Sequence, residues 1–451
     1  MERFGVVIQT DSGNYYAYNM ATNQIISIDR SWYKTISGLG NDERVFKELS
    51  DYGIVIEGVP DIIEWELSDK AYLKTIDEAI PALILELTQE CTLRCEYCVY
   101  SGNYEKIRTH SKKHMSYDVI KDSLEYYAEH SKALNAANIS FYGGEALMRF
   151  DEIKFAVEYA RKLFFNKQLY FRISSNGTTL TDQIIHWLDQ NKDVCVTVTV
   201  NGFAHDKYRK FASGEGSLNV ITANLVKIKN NYPDLWKRVD FIANVATLQE
   251  LLDLRRYYLK YIEKPPLLIT GILEYGGNDK IREIVKAQDS SDVVNEVQTL
   301  LFDNLDDYIL PYYKNELIDI NTRDIGQRSN RCIETASCMP FTSSLFVSAD
   351  GEFGVCERAG ECNQLGNLSQ GINTEFVSKL IMEMSKIINN QCRTCWCQRL
   401  CSMCIKDFAI SKEGEISFDE EICFDISNNI KSSLKLFCEI AEHNPDALDK
   451  I

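Results

Sequence analysis

Leu85-Glu86-Leu87-Thr88-Gln89-Glu90-Cys91-Thr92-Leu93-Arg94-Cys95-Glu96-Tyr97-Cys98 decides the reading of this chain of 451 residues. The apolar run ending at Thr88 has the length and composition of a buried strand. Three cysteines follow at once, with three residues and then two between them. Thiolates on a loop at the C-terminal end of a strand can bind three irons of a [4Fe-4S] cube and leave the fourth without a protein ligand. A zinc site would want four ligands. No adjacent histidine supplies the fourth, although His110 and His114 on the following segment are candidates.

Outward from this stretch, strand signals alternate with amphipathic helices, as in a parallel sheet covered by helices. Six strands are expected, at 82–87, 138–142, 169–174, 194–200, 240–246 and 267–273. After Arg149, the apolar residues Ile153, Ala156, Val157, Ala160, Leu163 and Phe164 recur at the spacing that lays one stripe of a helix on a sheet. Six strands suit a partial (β/α)6 barrel better than a closed eight-fold one, so the fold class is α/β.

Further motifs fall at the ends of these strands. Tyr142-Gly143-Gly144-Glu145 closes the second, Ser174-Ser175-Asn176-Gly177 the third and Thr199-Val200-Asn201-Gly202 the fourth, followed by His205-Asp206, Tyr208-Arg209 and Gly214-Glu215-Gly216-Ser217. Read singly, the first is a turn and the second an Asx turn ending a strand. Together with the spacing of Cys91, Cys95 and Cys98 and the aromatic Tyr97, their order resembles the radical S-adenosylmethionine (SAM) superfamily. The resemblance implies that Gly143, Gly144 and Glu145 receive the SAM amino group and that Ser174 or Ser175, with Asn176, contacts its ribose or carboxylate. It also implies that Arg209 pairs with the SAM carboxylate. Asn201 stands where related enzymes usually carry Asp, which puts in doubt any mechanism using that carboxylate as a general base.

Ten of the fifteen cysteines lie between Cys332 and Cys423, a density that points to metal. The series Cys332, Cys338, Cys356, Cys392, Cys395, Cys401, Cys404 and Cys423, with Gly351 five positions before Cys356, resembles a SPASM domain. The gap between Cys401 and Cys404 is two residues rather than the commoner three. The resemblance implies two auxiliary [4Fe-4S] clusters, one on Cys332, Cys338, Cys356 and Cys404, the other on Cys392, Cys395, Cys401 and Cys423. Either Cys362 or Cys397 could replace an assigned ligand. Cys195 and Cys438 read as small core residues, and a zinc ribbon is the alternative for 392–404.

Residues 1–80 show three short strand-like runs (5–9, 15–18, 24–29), helical stretches at 31–37 and 42–52 and a return to strand at 53–56. This resembles the winged-helix-like RiPP recognition element, which adds a leader peptide as an extra strand to a sheet edge. The expected organisation is 1–80 recognition element, 81–286 partial barrel, 287–331 helical connector and 332–451 SPASM domain with a terminal helix.

Composition bounds the function. Apolar residues make up 45% and charged residues 25%, ordinary globular usage. With 49 Lys+Arg against 66 Asp+Glu the net charge is -17, which lacks the footprint of a general nucleic-acid binder. No apolar run suits a membrane span or signal peptide, and a cysteine-rich chain without need of disulfides fits a reducing, cytoplasmic setting.

The resemblance covers essentially the whole chain and implies an oxidoreductase with three [4Fe-4S] clusters and SAM, fed by a donor such as flavodoxin or ferredoxin. In such enzymes one electron cleaves the sulfonium, releasing methionine and a 5'-deoxyadenosyl radical that abstracts hydrogen from a C–H bond. Within the group, Cys98 to Tyr104 with Arg108, His110 and Ser111 looks most like enzymes installing Cys thioether cross-links (sactipeptide or ranthipeptide synthases) in a ribosomal precursor peptide. The alternatives are a maturase forming C–C or C–O side-chain links, an anaerobic sulfatase-maturing enzyme that makes formylglycine, and a non-catalytic iron-sulfur scaffold that would need no SAM motifs.

Overall fold

The computed structural model describes residues 2–3, 5–20, 22–37, 43–51, 55–56, 70–103, 107–272, 289–326, 339–359, 365–392, 395–405, 408–410, 416–418 and 420–450. Cys332, Cys338 and Cys362 lie outside these residues, as do the ends of the expected connector.

All six expected strands are present and parallel, and they follow one another across one sheet in chain order: Ala82–Thr88, Ala136–Gly143, Gln168–Ser175, Val194–Thr199, Val239–Val245 and Leu268–Gly271. Alternation explains how each strand is used. Leu83, Leu85 and Leu87, Ile139 and Phe141, Val194, Val196 and Val198, and Phe241 and Ala243 share one core with Ile153, Ala156, Val157 and Ala160 of the helix Phe150–Leu163. The intervening residues turn to the other face, where many are polar: Arg172 donates there to Thr197 and to Asp240 across neighbouring strands. Cys195 follows this alternation. It is half-buried on the polar face, whereas Cys438 is a core residue as expected.

The sheet does not stop at six strands. Leu345–Val347 adds parallel to the first strand, with Leu345 opposite Leu83 and Val347 opposite Leu85, and Phe353–Gly354 pairs antiparallel beyond it. The tail therefore shares a sheet with the core instead of sitting beside it.

The N-terminal residues form a three-stranded antiparallel sheet, Gly5–Gln9, Tyr15–Asn19 and Gln24–Ile28, followed by helices Arg30–Ile36 and Glu43–Asp51. Asp29 caps the first helix by accepting from the Ser31 and Trp32 N–H groups. Val55–Ile56 pairs with Glu2–Arg3 and not with this sheet. One face of the sheet packs Ala17 against Ile36, Val45 and Leu49. The other lays Ile8, Tyr18 and Met20 on Cys397, Leu400, Ile430, Leu434 and Cys438 of the tail. At the hairpin tip, Glu442 of the terminal helix Glu420–His443 accepts from Thr10, Ser12 and Asn14. Among the described residues no helix is long and apolar enough to cross a membrane.

Candidate functional site

The cysteine loop is clamped from two sides. Gly144 N–H donates to the Thr88 carbonyl and Glu145 N–H to that of Glu90. On the other flank, Leu93–Cys95 pairs antiparallel with Arg209–Phe211, which sets Arg209 opposite Cys95. The glycines are needed for this approach: a Cβ on Gly143, whose φ is 137°, would lie 2.1 Å from the Thr88 carbonyl oxygen, and one on Gly144 2.2 Å from that of Glu90. The two-glycine turn is thus a seat for the cysteine loop.

Glu145 locks that seat. It is fully buried, and its carboxylate accepts from Ser175 Oγ (2.8 Å), Asn176 N (2.7 Å), Leu147 N (3.2 Å) and Thr179 Oγ1 (3.1 Å). Three of these donors meet Oε1 and only the Asn176 N–H meets Oε2, which keeps an acceptor position open. Burial pushes its pKa up and these donors oppose the shift. Ser175 is committed to this contact and to the Gly177 N–H, while the Ser174 hydroxyl has no hydrogen-bond partner among the described residues. Of the two serines, Ser174 is the one with a hydroxyl to offer.

Cys91, Cys95 and Cys98 are half-buried and close enough to interact: each of the other two thiols adds to the rise in the Cys91 pKa. Burial, foremost, pushes Cys91 up to about 12 and Cys98 up to about 11. Such thiols are protonated at neutral pH and give up their protons when metal binds. His110 approaches this group, its Nε2 lying 4.0 Å from Cys98 Sγ, whereas His114 turns to the Lys112 carbonyl.

A second polar cluster closes the mouth of the sheet. The Tyr97 hydroxyl accepts from Arg209 Nη1 (3.0 Å), Asn201 Nδ2 (3.0 Å) and Asn244 Nδ2 (3.3 Å). Asn201 Oδ1 accepts the Asn244 N–H, and Asn244 Oδ1 accepts the Thr270 hydroxyl. Behind it, buried His205 accepts the Asn201 N–H on Nδ1. Its Nε2–H then donates to Ser217 Oγ, which donates to the Arg209 carbonyl. Burial pushes the His205 pKa down to about 2, so the imidazole is neutral. The motif containing His205 was visible in the sequence, but nothing there assigned the imidazole this bracing part. Asn244 and Thr270 gave no sequence signal.

Arg209 supplies the test of fit. It is 6% exposed, carries a charge that no carboxylate neutralises among the described residues, and its Nε has no partner there. A buried cation beside three thiols is matched by an anionic group. A thiolate-ligated iron-sulfur cluster, or the carboxylate of a ligand chelating it, has that charge, so Cys91, Cys95, Cys98 and Arg209 suit the implied group.

The tail sorts its cysteines in space. Cys404 lies near enough to Cys356 to raise its pKa, while Cys392, Cys395 and Cys401 act in the same way on Cys397. Cys423 feels Cys395. Cys356 and Cys404 thus share one neighbourhood, and Cys392, Cys395, Cys397, Cys401 and Cys423 another. Cys397 Sγ lies 3.4 Å from Cys395 Sγ, so this unassigned thiol competes for the same place. Among the described residues, no three His, Cys, Asp or Glu side chains converge on a point suited to one metal ion. A cube spreads its ligands over several irons and does not need that convergence.

A cavity of about 180 Å³ lies between the first strand and the added hairpin, lined by Tyr100, Arg108, Phe346 and Cys356 among others. Glu86 forms a buried ion pair with Arg108, whose guanidinium stacks 3.6 Å from the centre of the Tyr100 ring. The lone acid in an otherwise apolar strand was the available signal, since a buried carboxylate needs a partner.

Residues 85–255 match the Radical SAM superfamily. The matched residues run from within the first strand of the parallel sheet, Ala82–Thr88, through the fifth, Val239–Val245, and hold the cysteine loop between the first two. An uncharacterized protein of Methanocaldococcus jannaschii, MJ0907, is 28% identical over 136 residues, 30% of this chain and 44% of that one. A cysteine-type anaerobic sulfatase-maturating enzyme of Clostridium novyi is 28% identical over 163 residues, 34% of this chain and 41% of that one. The matched stretches thus span less than half the length of these two curated relatives. The solved structure of native anSMEcpe with bound AdoMet and Cp18Cys peptide has a similar fold, with TM-score 0.57 and 17% identity over 82% of this chain and 98% of that one.

Proposed function

We propose that this chain is a radical SAM peptide maturase that forms Cys sulfur-to-carbon thioether links in a ribosomally made precursor, with a cluster on Cys91, Cys95 and Cys98 and two auxiliary clusters in the tail. The carrying observation is the three-thiol loop seated on Gly143-Gly144-Glu145 and flanked by Arg209, which no carboxylate neutralises among the described residues. When bound, the cluster and SAM together supply the radical that attacks an unactivated C–H bond. The chain's own residues do the rest. Glu145 holds the cysteine loop to the third strand, Arg209 offers positive charge to an anionic ligand, Ser174 offers a hydroxyl unbonded among the described residues, and Asn201 stands where a carboxylate would act as base.

The docked N-terminal sheet supports the choice of a leader-bearing peptide. Among the described residues, Gln24–Ile28 is paired only with Tyr15–Asn19, so its outer edge is available for an added strand. A donor such as flavodoxin or ferredoxin would supply the electron. The relative from Clostridium novyi favours a second reading, oxidation of a Ser or Cys to formylglycine, against which the N-terminal sheet and Asn201 argue.

The test is anaerobic incubation of reconstituted protein with SAM, a reductant and the Cys-containing peptide encoded beside its gene. Loss of two hydrogens per link with the thiol blocked to alkylation supports the thioether reading. The same loss with thiols free rejects it in favour of C–C or C–O links, and an aldehyde product favours the second reading.

A further inference from the structure

We infer that Asn176 is a positioning residue of the first cluster: its side-chain amide donates an N–H···S hydrogen bond to the Cys91 thiolate and thereby raises the cluster's reduction potential. The inference rests on the reading that Cys91 ligates iron. It departs from the sequence expectation that Asn176 contacts SAM.

The hydrogen bonds around Asn176 leave one orientation for its amide. Oδ1 accepts from Thr178 N (2.9 Å) and Thr178 Oγ1 (2.7 Å), and the backbone N–H is tied to Glu145 Oε2 (2.7 Å). Thr178 has spent its only hydroxyl hydrogen on Oδ1, so in its 2.8 Å contact with Thr92 Oγ1 it accepts. Thr92 has then spent its own hydrogen on Thr178 and must accept from Asn176 Nδ2 at 2.9 Å. That consumes one amide hydrogen. The other is left for Cys91 Sγ, 3.6 Å from Nδ2, within reach of a hydrogen bond to sulfur. Asn176 is 6% exposed, so the amide is held where solvent cannot replace it.

Cys91 also accepts the Leu93 N–H at 3.4 Å, and Cys98 that of Tyr100 at 3.4 Å. Those two donors are backbone and come with the loop, while Asn176 donates from the third strand through a side chain that can be changed. Hydrogen bonds to cluster sulfurs stabilise the electron-rich, reduced state and raise the potential. The same residue therefore joins three things: the Glu145 lock, the Thr92 and Thr178 ring, and the electronic state of the thiolate.

The test is the midpoint potential of the SAM-responsive electron paramagnetic resonance signal in reconstituted full-length protein. Asn176→Ser keeps a side-chain oxygen to accept the Thr178 N–H but removes the amide donor. A tenfold shift of the equilibrium toward the oxidised state is expected, a potential lower by about 59 mV for one electron. Asn176→Asp, which sets a carboxylate oxygen against the sulfur, moves it further in the same direction. Thr92→Val breaks the ring yet leaves Asn176 facing Cys91, and keeps the wild-type potential. An unchanged potential in Asn176→Ser overturns the inference, as does an equal shift in Thr92→Val, which would mark a general packing effect. If the wild-type protein yields no SAM-responsive signal, or Cys91→Ala retains it, the reading of Cys91 as an iron ligand falls first, and this inference with it.

Discussion

Replacing Glu145 separates a structural lock from a mere turn residue, because its four donors are of two kinds. Ser175 and Thr179 are hydroxyls that can rotate to another acceptor, whereas the Leu147 and Asn176 N–H groups are fixed by the backbone. In Glu145→Ala the two N–H groups are stranded in a fully buried site, at about 1–3 kcal/mol each. The expected loss is therefore roughly 2–6 kcal/mol. In Glu145→Gln an oxygen remains for Ser175, Leu147 and Thr179, and only the Asn176 N–H meets an amide hydrogen, so the cost is about 1–3 kcal/mol. At about 1 °C per kcal/mol for a chain of 451 residues, thermal unfolding followed by circular dichroism gives the order wild type, Gln, Ala. Iron per chain after reconstitution should fall in that order too, since the carboxylate holds the turn that seats the cysteine loop. Equal melting temperatures for wild type and Glu145→Ala, or a Gln variant as damaged as the Ala one, would refute the reasoning.

Three further outcomes follow from the same geometry. Gly144→Ala places a methyl 2.2 Å from the Glu90 carbonyl oxygen and 3.0 Å from Cys91 Cβ, so the loop must move; most of the iron of the first cluster should be lost while the fold is retained by circular dichroism. Glu86→Leu leaves Arg108 buried without its partner and should cost about 3–5 kcal/mol in urea unfolding, part of it recovered in the double variant with Arg108→Met, which still leaves the Ala349 N–H without its acceptor. His205 is neutral when folded, its pKa pushed by burial to about 2, so below about pH 6.5 the unfolded chain takes up a proton that the folded one refuses. The stability it contributes is whole above that pH and is lost as pH falls, at a slope approaching about 1.4 kcal/mol per unit. Urea titrations between about pH 6 and pH 5 should show this slope flattened in His205→Gln.

What the sequence revealed of this architecture was whatever repeats locally. Period-two apolar runs gave all six core strands, and their ends carried the motifs, because loops at the C-terminal edge of a parallel sheet converge there. The cysteine loop and the two-glycine turn were readable for the same reason. Harder to see were contacts made between strand ends distant in the chain, such as Asn201 with Asn244 and Tyr97, or Thr92 with Thr178. Asn244 lies near the end of a strand run and looks like any polar residue facing away from the core. The three-residue strand Leu345–Val347 is too short for alternation to announce it, and its partner lies more than 250 residues earlier.

That short strand fixes the relation between the two cysteine regions. Its register sets Leu345 and Val347 on the same buried face as Leu83 and Leu85, and a slip by one residue would turn both outward and drive Phe346 into the core. With the register held, Ala349 N–H reaches the Glu86 carboxylate and the Tyr100 hydroxyl donates to the Glu357 carbonyl. Tyr100 follows Cys98 by two residues, and Glu357 follows Cys356 directly. The separation between the first cysteine loop and the Cys356 segment is therefore set by sheet hydrogen bonding and one tyrosine bridge, not by a hinge between domains. The N-terminal sheet is held as closely, since Tyr18 packs edge-on to Trp396, between Cys395 and Cys397. The central strand of the N-terminal sheet thus already packs on the tail cysteines Cys397 and Cys438.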